Sequence, residues 1–211
     1  MKRIFFCLLF VFLIACQQNT SNNILYSSKF DDIKYFGEDS FLLEGTDIAD
    51  SLKENKYDRL PASYKEFVRE PVWNLSKNSA GLSIRFLSNS SVITAKWELL
   101  NNLSMDHMPD TGIKGIDLYF KNNDKWQYIN TGRPAGFKNE YKLVDNMSNE
   151  VREYKIFLPL YDGLKKIEIG IDNSSFIRKP EINEKKPIIF YGTSITQGAC
   201  ASRPGMAHTN I

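Results

Sequence analysis

The sequence predicts a mainly β protein: an antiparallel, jelly-roll-like β-sandwich followed by the first strand, turn and helix of an α/β unit. Three observations carry this reading. Short runs alternate apolar and polar residues with period two, and turn-forming residues recur between them. Near the C-terminus the pattern changes, and a proline-bounded apolar run gives way to a Gly/Ser/Thr turn. No long amphipathic helix competes with the strands. With 42% hydrophobic and 25% charged residues the chain is globular in composition. Its net charge of +2 comes partly from Lys2 and Arg3 and gives no reason to expect a nucleic-acid partner.

The first 16 residues suit a targeting segment. Lys2 and Arg3 precede an apolar run from Ile4 to Ala15, too short for a membrane-spanning helix of about 20 residues. The run closes on Leu13-Ile14-Ala15-Cys16, which resembles the lipobox of bacterial lipoproteins. That resemblance implies a lipoprotein signal peptide over residues 1–16 and lipidation of Cys16. A lipid anchor would then hold the protein in the cell envelope, at the outer membrane or cell surface, with residues 17–23 as a polar tether. The alternative is an ordinary cleavage site beside a chance cysteine. Cys7 would leave with the signal. Cys200 then remains, so no internal disulfide is expected. Cys200 reads as a small buried residue, with a reactive thiol as the alternative.

Residues 24–180 form the expected sandwich. Gly81-Leu82-Ser83-Ile84-Arg85-Phe86 alternates, and the run from Ile93 to Leu99 places Ile93, Ala95, Trp97 and Leu99 on one face. Ile116, Leu118 and Phe120 share a face, and Asn122-Asn123-Asp124 turns the chain into a return strand from Trp126 to Ile129. Strands are also expected from Glu153 to Leu158 and from Lys165 to Ile171, the latter with Ile167, Ile169 and Ile171 inward. Ser88-Asn89-Ser90 and Asp162-Gly163 supply turns, and residues 64–69 suit a helical turn. Trp73, Trp97 and Trp126 read as core aromatics, although exposed indoles would stack on sugar rings. Asp117, between Ile116 and Leu118, points away from the core face, toward a neighbouring loop or a following domain. Residues 173–186 are sparse in apolar side chains and contain Pro180, as expected of a connection between domains.

Residues 181–211 open the second unit. Lys186-Pro187-Ile188-Ile189-Phe190-Tyr191 reads as a buried parallel strand, and Gly192-Thr193-Ser194-Ile195-Thr196-Gln197-Gly198 as a tight turn. A serine at the tip of a strand-to-helix turn shows its hydroxyl and its own N–H to the same space, the geometry of an acyl-transfer nucleophile. A phosphate-binding P-loop is excluded by the glycine spacing and the missing lysine, and a G-x-S-x-G elbow by Thr196. An ordinary turn remains the plain alternative.

The run from Ile189 to Gly198 resembles the first sequence block of SGNH (GDSL-type) hydrolases, with Thr193 in place of the usual aspartate. Ala201-Ser202-Arg203-Pro204-Gly205-Met206-Ala207 resembles one esterase branch of that family. Gly115-Ile116-Asp117-Leu118-Tyr119 matches the G-x-D-L-Y signature of the β-domain that precedes some of these esterases; Val72-Trp73-Asn74-Leu75-Ser76 and Met108-Pro109 fit it as well. The resemblance implies that Ser194 is the nucleophile and that its N–H is one oxyanion donor. It further implies a carboxyl-ester hydrolase acting on ester-bearing carbohydrate, with acetyl groups the expected leaving acid and no metal or organic cofactor. The same family takes its general base and orienting carboxylate from a late D-x-x-H motif, and further oxyanion donors from a glycine and a G-x-N-D asparagine. Neither motif is present, and neither His107 nor His208 has an aspartate three residues before it. Were the serine turn to start a continuous helix, His208 would lie about 20 Å along it. His107 beside Asp106 lacks the companions of a metal site. The expectation is a catalytically incomplete piece of a longer esterase, or the product of an interrupted gene. The alternative is a non-catalytic carbohydrate-binding or docking module.

Overall fold

In a computed structural model, the described residues are 32–182, 186 and 188–210. The expected signal peptide, Cys7, Cys16 and the tether lie outside them. Among the described residues no helix is long and apolar enough to cross a membrane.

Among the described residues ten strands form: β1 (Ile33–Phe36), β2 (Leu42–Glu44), β3 (Ser83–Ser88), β4 (Ile93–Leu99), β5 (Ile116–Asn122), β6 (Lys125–Gly132), β7 (Lys138–Val144), β8 (Arg152–Phe157), β9 (Leu164–Asp172) and β10 (Ile177–Arg178). All their pairings are antiparallel. One sheet runs β1-β9-β4-β7. The other runs β10-β3-β8-β5-β6, with β2 on the same edge of β3 as β10. Between them lies one apolar core, to which β4 gives Ile93, Ala95, Trp97 and Leu99 and β9 gives Ile167, Ile169 and Ile171. Ile84, Phe86, Ile116, Leu118, Tyr154 and Ile156 meet them from the other sheet. This is the predicted sandwich, built by period-two burial from two faces.

The hairpin β5–β6 turns at Asn123 and Asp124, whose φ angles of 47° and 63° are those of a two-residue turn with left-handed centres. A bulge follows, in which Ile129 is the extra residue between the pairs Leu118–Asn130 and Tyr119–Tyr128.

Several expectations are corrected. β10 pairs with β3 at Ile177 and Arg178, so the sheet reaches into the stretch read as a connection. The helical turn expected at residues 64–69 is present, with the Phe67 and Val68 N–H groups both donating to the Tyr64 carbonyl at 3.0 Å, whereas the helix α1 at Glu70–Ser76, entered through Pro71, was not expected. Of the tryptophans, Trp97 alone belongs to the sandwich core. Trp73 is buried on α1 with the Lys77 ammonium 4.1 Å from its ring centre. Trp126 is half-buried on the outside, under Lys155 at 4.8 Å. The strand expected over residues 186–191 is absent: the described residues there are irregular and exposed, Ile189 at 86% and Tyr191 at 100%. A strand needs a partner ladder, and no described strand pairs with them.

Asp172 closes β9 over the turn that precedes β4. It accepts hydrogen bonds from the Ser90 and Ser174 hydroxyls, each at 2.6 Å, and from the Ser91 N–H at 3.2 Å. Burial would raise its pKa, but these donors prevail and bring it from 3.8 down to about 2. A folded-state pKa below the unfolded one stabilises the fold above the unfolded pKa and loses that contribution as pH falls through the folded one. The melting temperature of the protein should therefore fall between about pH 4 and pH 2 more steeply than that of Asp172→Asn. Parallel melting curves over that range would contradict this.

Candidate active-site turn

Gly192, Thr193 and Ser194 lead into α3 (Ser194–Gln197), a single helical turn. Ser194 is exposed at its first position, and among the described residues its hydroxyl has no hydrogen-bond partner. The turn is closed by Gln197 N–H to Thr193 O, Gly198 N–H to Ile195 O and Ala199 N–H to Ser194 O, the last at 2.8 Å. Both motif glycines have a physical reason. A side chain at Gly192 would lie 2.1 Å from the Thr196 hydroxyl, and Gly198 ends the turn at φ +100°.

The turn is docked on the sandwich. Gln197 donates to the Leu160 carbonyl at 3.0 Å and accepts from Arg59 at 3.1 Å. Arg59 also donates to the carbonyls of Asn78 and Leu75, and burial depresses its pKa. The Tyr161 hydroxyl donates to the Ser194 carbonyl at 3.2 Å. Beneath lies a second apolar cluster of Ala80, Met108, Ile113, Leu160, Tyr161 and Ala207, with Ala199 and Ala201 packed against it. Its floor includes α2 (Asp110–Ile113), whose Thr111 hydroxyl donates to the Ser202 carbonyl at 2.7 Å.

Asp117 joins the two parts. It points away from the core, as its strand parity requires, yet its exposure is 0%. One oxygen accepts from the Thr131 hydroxyl at 2.7 Å. The other accepts from the Arg203 guanidinium at 2.7 Å and the Gly205 N–H at 2.8 Å. Arg203 also donates to the Tyr119 hydroxyl at 2.6 Å and lies 3.9 Å from the Tyr128 ring centre. Burial works against the Arg203 charge, but the bonds to Tyr119 and Asp117 outweigh it and raise its pKa. Of the other motif positions, Leu118 is in the core, and a side chain on Gly115 would strike the Thr111 carbonyl at 2.3 Å.

Sequence reasoning missed Arg59, Gln197 and Arg203 as partners, because their contacts span up to 138 positions of chain. Cys200 is exposed at φ 62°, not buried as expected. His208 is not far along a helix, since α3 stops at Gln197 and the chain folds back at Gly198. It lines a shallow depression with Ile195 and Met206, and its ring meets Phe190 edge-on. No hydrogen bond joins it to Ser194. His107 is exposed on the loop before α2.

The structure thus joins an antiparallel sandwich to a serine-tipped turn docked on its surface. Residues 33–177 match the GxDLY family, the N-terminus of SGNH-hydrolase-type esterases, and residues 185–211 match the GDSL-like lipase/acylhydrolase family. The chain belongs to this family of SGNH/GDSL-type hydrolases. A Bacteroides ovatus protein assigned as a GDSL-like lipase is similar at 42% identity and TM-score 0.77, over 83% of this chain and 51% of that one. This chain thus spans about half the length of that structure. A salicylyl-acyltransferase from a tetracycline biosynthetic pathway has 11% identity and TM-score 0.49, over 72% of this chain and 43% of that one. An acetyl xylan esterase from the rumen bacterium Butyrivibrio proteoclasticus has 9% identity and TM-score 0.40, over 72% of this chain and 35% of that one. No curated protein matches.

The docking surface is close-packed. An added Cβ on Gly112 would lie 2.1 Å from the Ala201 carbonyl oxygen. Gly112→Ala should destabilise the protein by about 1–3 kcal/mol and expose residues 199–207 to protease while the sandwich stays folded. An unchanged urea midpoint and cleavage pattern would show that the contact is not held in solution.

Proposed function

We propose that Ser194 is the nucleophile of a carboxyl-ester hydrolase that removes acetyl or similar acyl groups from polysaccharide. The observation that carries this reading is the exposed serine at the head of a clamped helical turn, inside the segment that matches the GDSL-like family. The Ser194 hydroxyl would attack the ester carbonyl and its N–H would help hold the oxyanion. The acyl-enzyme would then be released by water. Neither His107 nor His208 is hydrogen-bonded to Ser194, so the general base and its orienting carboxylate would be other groups than these two. The exposed side chains of Ile188, Ile189, Phe190 and Tyr191 suit a strand that a neighbouring sheet would receive. Lipidation of Cys16 would place the enzyme at the cell envelope. The carbohydrate-binding alternative is less well supported. Trp97 and Trp73 are buried, and the Lys155 ammonium lies over one face of the half-buried Trp126.

The purified 211-residue chain should hydrolyse neither p-nitrophenyl acetate nor acetylated xylan above background. Joined to the part of the Bacteroides ovatus protein that this chain does not match, it should hydrolyse such esters, and Ser194→Ala should lower kcat of the joined chain by at least about 10³-fold. Hydrolysis by the 211-residue chain that Ser194→Ala abolishes would overturn the proposed incompleteness. Activity of the joined chain that survives Ser194→Ala would overturn the role of the serine.

A further inference from the structure

We infer that Asp117 and Tyr119, the aspartate and tyrosine of the G-x-D-L-Y motif, are positioning residues for Ser194. They act through Arg203 and Gly205, and the inference rests on the reading of Ser194 as nucleophile given above. Asp117 and Tyr119 lie two residues apart on β5 and so face the same way, away from the core. Tyr128, the cross-strand partner of Tyr119, completes the wall, with the two rings 5.6 Å apart and edge to face. Together they form a socket for one arginine: a carboxylate and a phenol oxygen accept from Arg203 while the Tyr128 ring receives its guanidinium plane.

The socket is connected to the serine by short, packed links. Arg203 enters the 3-10 turn Pro204–Met206, and Gly205 rests on Tyr119 so closely that a Cβ there would lie 2.2 Å from the phenol oxygen. Ala207, next in the chain, is buried against Gly198, the residue that ends α3. On the opposite side Gln197 is tied to Leu160 and Arg59. The backbone around Ser194 is therefore gripped at its C-terminal end between the arginine socket and the Arg59 tie. A buried carboxylate left without its partners would be costly, so the socket favours one seating of the loop. That seating carries over to the serine's N–H and hydroxyl.

Amide hydrogen exchange of the 211-residue chain tests this without any need for hydrolysis, so its outcome is independent of whether Ser194 is a nucleophile. The amides of Gly198 and Ala199, which close the turn, should exchange about tenfold faster in Asp117→Asn and in Arg203→Ala, roughly the effect of one charge-assisted hydrogen bond. The amides of β4 and β9 should keep their rates. Tyr119→Phe removes one acceptor only, leaves the carboxylate in place and should give a smaller acceleration in the same two amides. Arg203→Lys should recover part of the protection lost in Arg203→Ala. The Asp117→Asn/Arg203→Ala double variant should exchange no faster than the faster single one, because the pair acts as a unit. Unchanged exchange at Gly198 and Ala199 in the single variants would overturn the inference. So would acceleration spread evenly over β4, β9 and the turn.

Discussion

A fully buried carboxylate organises this molecule. Asp117 sits on the outer face of a sheet, where a side chain ordinarily meets solvent, yet it is fully buried. An ionised group can stay there only if its lone pairs are filled and its charge is answered. Thr131 fills part of that need from within the sandwich, and Arg203 and the Gly205 N–H supply the rest from the C-terminal segment. The sandwich surface is thus incomplete without residues 199–207, and those residues are ordered by it. The serine turn inherits its place from this arrangement.

Small residues make the close approach possible. Ala199, Ala201 and Ala207 lie on Met108, Ile113, Leu160 and Tyr161, and glycines stand wherever two backbones or a backbone and a ring would collide. Gly112 beneath Ala201 and Gly205 against Tyr119 are such places. Neither has a left-handed φ, so the requirement is space and not backbone freedom. Polar ties then fix the register of the contact. Gln197 reaches Leu160 and Arg59, Thr111 reaches Ser202, and Tyr161 reaches the Ser194 carbonyl. Apolar packing alone would allow the segment to slide, whereas directional bonds at both ends of the serine turn do not.

The sandwich was legible because burial on a strand leaves a local trace. Ile93, Ala95, Trp97 and Leu99, and Ile167, Ile169 and Ile171, could be placed facing inward from their spacing, and Asn123-Asp124 from turn chemistry. Strands β1, β2, β7 and β10 escaped notice. β2 and β10 are only three and two residues long, and β7 carries Lys138, Glu140 and Lys142 with little apolar alternation. Trp126 and Cys200 were misplaced because residue type alone does not say which side of a sheet or loop is covered. The apolar run before Gly192 looked like a buried strand, but burial depends on a sheet to receive it.

The sequence by itself determined the sandwich, its hairpin, the family motifs and the serine at the head of a turn, because each is written in neighbouring residues or in period-two spacing. It also showed that Asp117 must point away from the core. Only the tertiary structure decided what Asp117 points at, why Tyr119 accompanies it, and that Arg59, Gln197 and Arg203 hold the serine turn in place. Those contacts join residues more than eighty positions apart. Which side chains meet across such distances is set by how the sheets and loops pack in space, and no local pattern records it.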